Sequence, residues 1–268
     1  MRAVAAVARG VFTDSVRDRI PYNLVFFAVL LMAASFLLAQ LTAGQDVKII
    51  KDLGLAAASI IGVFIAIFIG VGLVTKEVER RSIYSLLSKP VTRGQFIVGK
   101  YLGLVFTLVA NLTVMVVAFY LVLAYLAWVT PDNVQAAWEA PATDPRMLKA
   151  FALIAVELML ITAVALFFST FSSPFLAVTL TAAVYLIGHF SADLKNLETV
   201  VDSPAAAMLA RGVYYVMPNL APLDVKAAVV HAQPVTLGHM LLATASTILY
   251  IAAFVVASTM IFSRRDFK

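Results

Sequence analysis

Apolar residues in this chain come in long unbroken blocks, separated by short stretches that hold almost all of its charge. Six blocks read off directly: Tyr22–Leu41, Leu53–Thr75, Tyr101–Trp128, Leu148–Phe171, Pro174–Phe190 and Met240–Phe262. Each is near the roughly 20 residues that cross about 30 Å of hydrocarbon as a helix. The runs are continuous rather than alternating, and lipid requires every backbone polar group to be satisfied within the segment, so helices are expected and strands are not. Ahead of the first block, Val4, Val7, Ala8, Val11 and Phe12 recur at helical spacing, with Arg2, Arg9, Asp14, Arg17 and Asp18 largely off that stripe. This pattern predicts a short amphipathic helix on the membrane surface, with Pro21 turning the chain inward.

Composition agrees with the pattern. Apolar residues make up 62% of the 268 residues and charged residues 13%, against roughly 25% charged in a soluble domain. A soluble globular domain and a disordered chain are both excluded. Cysteine is absent, which removes disulfides, thiol nucleophiles and Cys-ligated metal sites. His189, His231 and His239 are too scattered for a metal motif. The net charge of +5 could suggest nucleic acid, so its placement matters. Thirteen of the twenty basic residues fall in the N-terminal segment, the loop after the second block and the C-terminus. With an even number of spans, the positive-inside rule puts both termini in the cytoplasm. Topology therefore accounts for the basic balance, and nucleic acid is not expected as a partner.

The loop KEVERRSIYSLLSKPVTRGQFIVGK, residues 76–100, is the most informative polar stretch. Glu77 can pair with Arg80 or Arg81 at helical spacing, and Pro90 ends the helix that runs out of the second block. Thr92 and Gln95 have the spacing of a capping box that starts the next helix. Between these signals lies the patch Ile83, Tyr84, Leu86 and Leu87, which is apolar in a water-facing loop and calls for a partner. Gly94, Gly99 and Lys100 imitate the start of a phosphate-binding loop. Tyr101 stands where Ser or Thr should hold magnesium, and no strand precedes the motif. The chain has no other candidate for hydrolysing ATP.

Ser172–Ser173–Pro174 is a helix start that makes the fourth and fifth blocks a tight hairpin. The connection Ser191–His239 predicts two short outer helices, Pro204–Val216 and Pro222–Ala232, as re-entrant or interfacial pieces. Gly54, Ala58, Gly62, Ala66 and Gly70 form a ridge of small residues for close helix approach, within this chain or with a second copy. Glu157 is the one ionisable group near the middle of a span. It must be protonated, hydrogen-bonded or wet, with Asn111 a candidate partner, and it reads either as a substrate- or proton-path residue or as a neutral structural bond.

These residues together resemble the permease subunit of ABC-2 type ATP-binding-cassette exporters, particularly the NosY-like branch. The resemblance rests on the helix before span one, the 76–100 loop, the segment YYVMPNLAPLDVKAAVV and the closing FSRRDFK. It implies one all-α polytopic membrane domain over 1–268. Within it, 1–21 is an elbow helix, 22–75 holds spans one and two, and 76–100 is a cytoplasmic coupling loop. Spans three to five occupy 101–190, an external re-entrant region 191–239, and span six with a cytoplasmic tail 240–268. It also implies a multi-pass protein of the cytoplasmic (inner) membrane that pairs with a second permease, as a homodimer, and docks on two separate ATPase subunits. Those subunits bind ATP and magnesium, so this chain is not itself an enzyme and holds no cofactor. Ser82–Ser88 would be the coupling helix, with Ile83, Leu86 and Leu87 as apolar contacts and Glu77, Glu79, Arg80 and Arg81 as polar rim. A stand-alone secondary carrier or channel is the competing class. It calls for more intramembrane charge and inverted repeats, and neither is evident. An intramembrane enzyme lacks G-x-S-x-G, H-E-x-x-H or paired acids here.

Overall fold

The computed structural model describes residues 2–39, 46–79, 92–191 and 217–264, together with 208, 212 and 214. Among them there are helices and turns but no strand. The amphipathic segment becomes α1 (Arg2–Arg17), and the six apolar blocks become α2 (Arg19–Ala39), α3 (Asp46–Glu79), α4 (Arg93–Val129), α6 (Met147–Ser169), α7 (Pro174–His189) and α9 (Leu237–Arg264). Two short helices, α5 (Asp132–Gln135) and α8 (Lys226–Val230), lie in the connections.

Among the described residues, four stretches are long and apolar enough to cross a membrane: Asp46–Gly72, Arg93–Val129, Met147–Ser169 and Leu237–Ser263. A fifth is obtained if α1 and α2, bent by 60° to each other, are taken as one broken span. Helix α7 has 16 residues, about 24 Å at about 1.5 Å per residue, and falls short of that length. The bend comes earlier than the Pro21 signal indicates. The break is at Asp18, and Pro21 sits in the first turn of α2, where its missing N–H costs no helix bond.

Local signals set the other boundaries. Thr92 caps α4 by accepting from Gln95 N at 3.3 Å, while Gln95 Oε1 accepts from Thr92 N at 3.2 Å. This is the reciprocal capping box. Ser173 Oγ accepts from Leu176 N ahead of Pro174, the first residue of α7. Gly94, Gly99 and Lys100 all lie inside α4, so no phosphate-binding loop exists there.

Helices α3 and α6 are mostly buried in the bundle, and α4 and α9 are mostly exposed. Phe26 and Phe27 of α2, Phe106 and Leu121 of α4, and Leu241 and Leu249 of α9 present bare apolar surface, as lipid-facing helices do. At one end, the start of α4 meets the end of α9: Arg93 donates to Ser263 O at 2.7 Å, and Phe96 stacks on Phe262. At the other end a polar cap closes the bundle. Lys48 pairs with Glu139 at 2.6 Å, Lys51 donates to Pro141 O at 2.8 Å, and Arg146 and Lys149 donate to Ala232 O and Val235 O.

The segment before α9 departs from expectation. In place of one helix over Pro222–Ala232, a 3₁₀ turn (Ala221–Leu223) precedes the five-residue α8. Asp224 Oδ1 accepts from Lys226 N at 3.3 Å and breaks the run, a local bond that competes with helix. Ala232, with φ of 54°, stops it. This piece packs into the bundle, with Leu220, Leu223, Val229 and Val230 buried in the main core. The expected helix Pro204–Val216 falls almost wholly outside the described residues.

Candidate intramembrane polar site

The ridge on α3 meets two helices of the same chain. A Cβ on Gly54 would stand 2.5 Å from Phe119 of α4. On Gly62 it would meet Leu158, and on Gly70 the Cβ of Ala165, each at 2.6 Å. Ala58 and Ala66 between them are buried. Small side chains thus let α3 lie against α6 at near-backbone distance, and this contact positions what α6 carries.

Glu157, on α6, is fully buried, and neither carboxylate oxygen has a hydrogen-bond partner among the described residues. His189, at the end of α7, is an ionisable neighbour, with Nε2 3.6 Å from Oε1. That separation is beyond a hydrogen bond. Asn111 does not serve Glu157, because its Nδ2 donates to Thr107 O of its own helix at 2.9 Å. A cation reaches this neighbourhood from outside the spans. The segment before α9 brings Lys226 to Ser59 Oγ of α3 at 3.4 Å and to Asp224 at 3.1 Å, and both Lys226 and Asp224 act electrostatically on Glu157. Tyr185 of α7 lies near Ser59 and against His189, with ring centroids 4.6 Å apart.

Ser59, Glu157, Tyr185, His189, Asp224 and Lys226 therefore form one polar cluster drawn from α3, α6, α7 and the segment before α9. The last is fastened to α7 by Leu220 N donating to Gly188 O at 3.0 Å and by Ser191 Oγ donating to Asn219 Oδ1 at 2.6 Å. Gly188 is needed for this approach, since a Cβ there would come within 2.8 Å of Pro218 O and Leu220. Among the described residues no group of His, Asp or Glu could hold a metal. A buried carboxylate with unsatisfied oxygens, beside a histidine, is equipped to take up a proton or a polar ligand group rather than to break bonds.

Glu77 and Glu79 lie in the last turn or two of α3, their side chains outside the described residues. Arg80, Arg81, Ile83, Tyr84, Leu86 and Leu87 lie outside the described residues altogether. Of the cluster, only Glu157 stood out in the sequence. His189 is one of three scattered histidines, and Lys226 lies in the connection before α9. The one available signal was Asp224-Val-Lys226 following a proline in an apolar stretch.

A helical bundle with bare apolar flanks, four to five crossing helices and a polar group at its centre is a multi-pass membrane protein. The ABC-2 family transporter protein description matches residues 5–267, and the chain belongs to that family. It is thus of the ABC-2 permease type, the membrane component of an ABC transporter, a class that works with ABC ATPase subunits. No curated protein matches the chain.

Proposed function

We propose that this chain is the permease subunit of an ATP-driven exporter, six-spanning and homodimeric, coupled to two separate cytoplasmic ATPases. The observation that carries the reading is the family match across residues 5–267. The loop 76–100 supports it: a charged stretch between two apolar helices that encloses Ile83, Leu86 and Leu87, a patch suited to an ATPase cleft. In this reading Ser82–Ser88 is the coupling helix, α1 is the elbow helix, and α7 is the fifth span. Both termini face the cytoplasm of the inner membrane, as the distribution of Lys and Arg supports. Within the family we place the chain with the NosY-like permeases, on YYVMPNLAPLDVKAAVV and FSRRDFK.

ATP and magnesium are bound by the partner chains. Their closure moves the two coupling helices, and rigid spans carry that motion to the outer side. Glu157 is the residue we assign to the pathway, because it is ionisable, buried and unsatisfied at mid-bundle.

The test is co-expression with the ATPase. A 2:2 complex with vanadate-sensitive hydrolysis is expected. The double substitution Leu86→Asp and Leu87→Asp should abolish co-purification while leaving the permease folded. Normal association of that variant would overturn the coupling assignment.

A further inference from the structure

Helix α1 buries only part of its apolar face. Val7, Ala8 and Val11 press on Gly99 and Gly103 of α4, so closely that a Cβ on Gly103 would lie 2.6 Å from Ala8 O. Beside this seam the two helices diverge around a groove of about 810 Å³, in the range of roughly 300–1,000 Å³ typical of small-molecule sites. Its walls are apolar: Ala5 and Phe12 on one side, Leu102, Phe106 and Ala110 on the other. The one charged residue lining it is Arg9, which is exposed and has no carboxylate partner among the described residues.

We propose that this groove binds an anionic glycerophospholipid, with an acyl chain between α1 and α4 and the phosphate on Arg9. An amphipathic helix of this kind lies at headgroup depth, with its basic side chains reaching the polar layer. There a guanidinium without a carboxylate partner among the described residues meets lipid phosphate in a charge-assisted, bidentate geometry. The apolar walls continue inward along Phe106 and Ala110 of a lipid-exposed helix, the direction an acyl chain takes. A second copy is the poorer occupant. A two-fold contact centred here would bring two Arg9 side chains together with no acid in the groove to neutralise them. The site is independent of the cargo and of the coupling mechanism proposed above.

The experiment is native mass spectrometry of the purified full-length chain titrated with dioleoyl phosphatidylglycerol and, separately, dioleoyl phosphatidylcholine. The unaltered chain should hold the anionic lipid on the order of tenfold more tightly. Arg9→Gln should erase that preference while weak binding of both lipids persists. Ala110→Trp and Ala5→Trp fill the groove from opposite walls, and each should lose both lipids; two variants guard against one that fails to fold. An intact preference for the anionic lipid in Arg9→Gln would overturn the proposal. So would undiminished lipid binding in both tryptophan variants, or conversion of a dimer to a monomer by them with lipid retained.

Discussion

Substituting Gly70 by Ala tests the close approach of α3 and α6 without touching any charged group. The added Cβ would stand 2.6 Å from the Cβ of Ala165, whereas carbon contacts settle at roughly 3.5–4.0 Å. Alanine has no rotamer to give way, so the two helices must part by about 1 Å. Overpacking of this kind costs roughly 1–3 kcal/mol. It is opposed by roughly 1 kcal/mol of helix propensity that any Gly→Ala change gains. Gly72, two residues on in the same helix, has nothing within 4 Å of its added Cβ. Gly72→Ala therefore collects the propensity term alone, and comparing the two variants cancels it. What remains is about 1–3 kcal/mol, which at roughly 2–4 °C per kcal/mol separates their melting temperatures by about 2–12 °C, Gly70→Ala being the lower. Because the chain has no cysteine, a single Ala28→Cys at a fully buried position of α2 reports unfolding in detergent through a thiol-reactive dye. Adding Ala165→Gly to Gly70→Ala removes the colliding methyl and should recover part of the loss, beyond the sum of the single effects. If Gly70→Ala and Gly72→Ala melt together, or if Ala165→Gly shows no coupling, the helices do not meet as described.

Two further outcomes follow from the polar groups. Glu157→Met replaces an unsatisfied buried carboxyl with an apolar side chain of similar length. It should raise the melting temperature by about 2–12 °C, from a relieved penalty of about 1–3 kcal/mol, while reducing permease-stimulated ATP hydrolysis; a fall in melting temperature would show instead that the carboxyl makes favourable contacts. At the polar cap, Lys48 holds the Glu139 carboxyl below its ordinary value of 4.5, through a hydrogen bond first and its charge second. A lowered carboxylate contributes its stabilisation above the ordinary value and loses it as pH falls through the folded-state value. Protection of residues 132–142 from hydrogen exchange, taken relative to the intrinsic amide rate at each pH, should therefore be unchanged between pH 8 and pH 6 and fall below about 4.5, and Glu139→Gln should remove that fall.

What the sequence disclosed follows from the range of the interactions involved. Thr92 with Gln95, and Ser173 with Pro174, define helix starts within three residues, and they were legible because the bonds they make are local. The ridge Gly54, Ala58, Gly62, Ala66 and Gly70 was legible as one face because a helix repeats every 3.6 residues. That Phe119, Leu158 and Ala165 meet its glycines could not be read, since nothing in a helical period names the opposite helix. The polar site was legible only at Glu157. Its neighbours lie on other elements: Ser59 about a hundred residues earlier, Lys226 about seventy later. Lys226 reaches the bundle because the segment before α9 dips into it, with Leu220 and Val230 as its buried anchors. An apolar run broken by prolines carries no sign of which way it folds.

Helix α3 joins the two parts of the proposed mechanism. It runs unbroken over Asp46–Glu79, with Ser59 in the polar cluster and Glu77 at the edge of the proposed coupling loop. Those two residues are eighteen apart, about 27 Å along the axis at about 1.5 Å per residue. Between them lie Gly62 and Gly70, where α6 lays Leu158 and Ala165 directly against α3. In the proposed mechanism, a displacement at the loop end of α3 passes along this close seam as a shear against α6. Ser59 then moves relative to Glu157, and Lys226, which bonds Ser59, either follows it or lets go. In the proposed permease, that exchange between α3 and the segment before α9 is the step by which work at the loop reaches the outer side of the bundle.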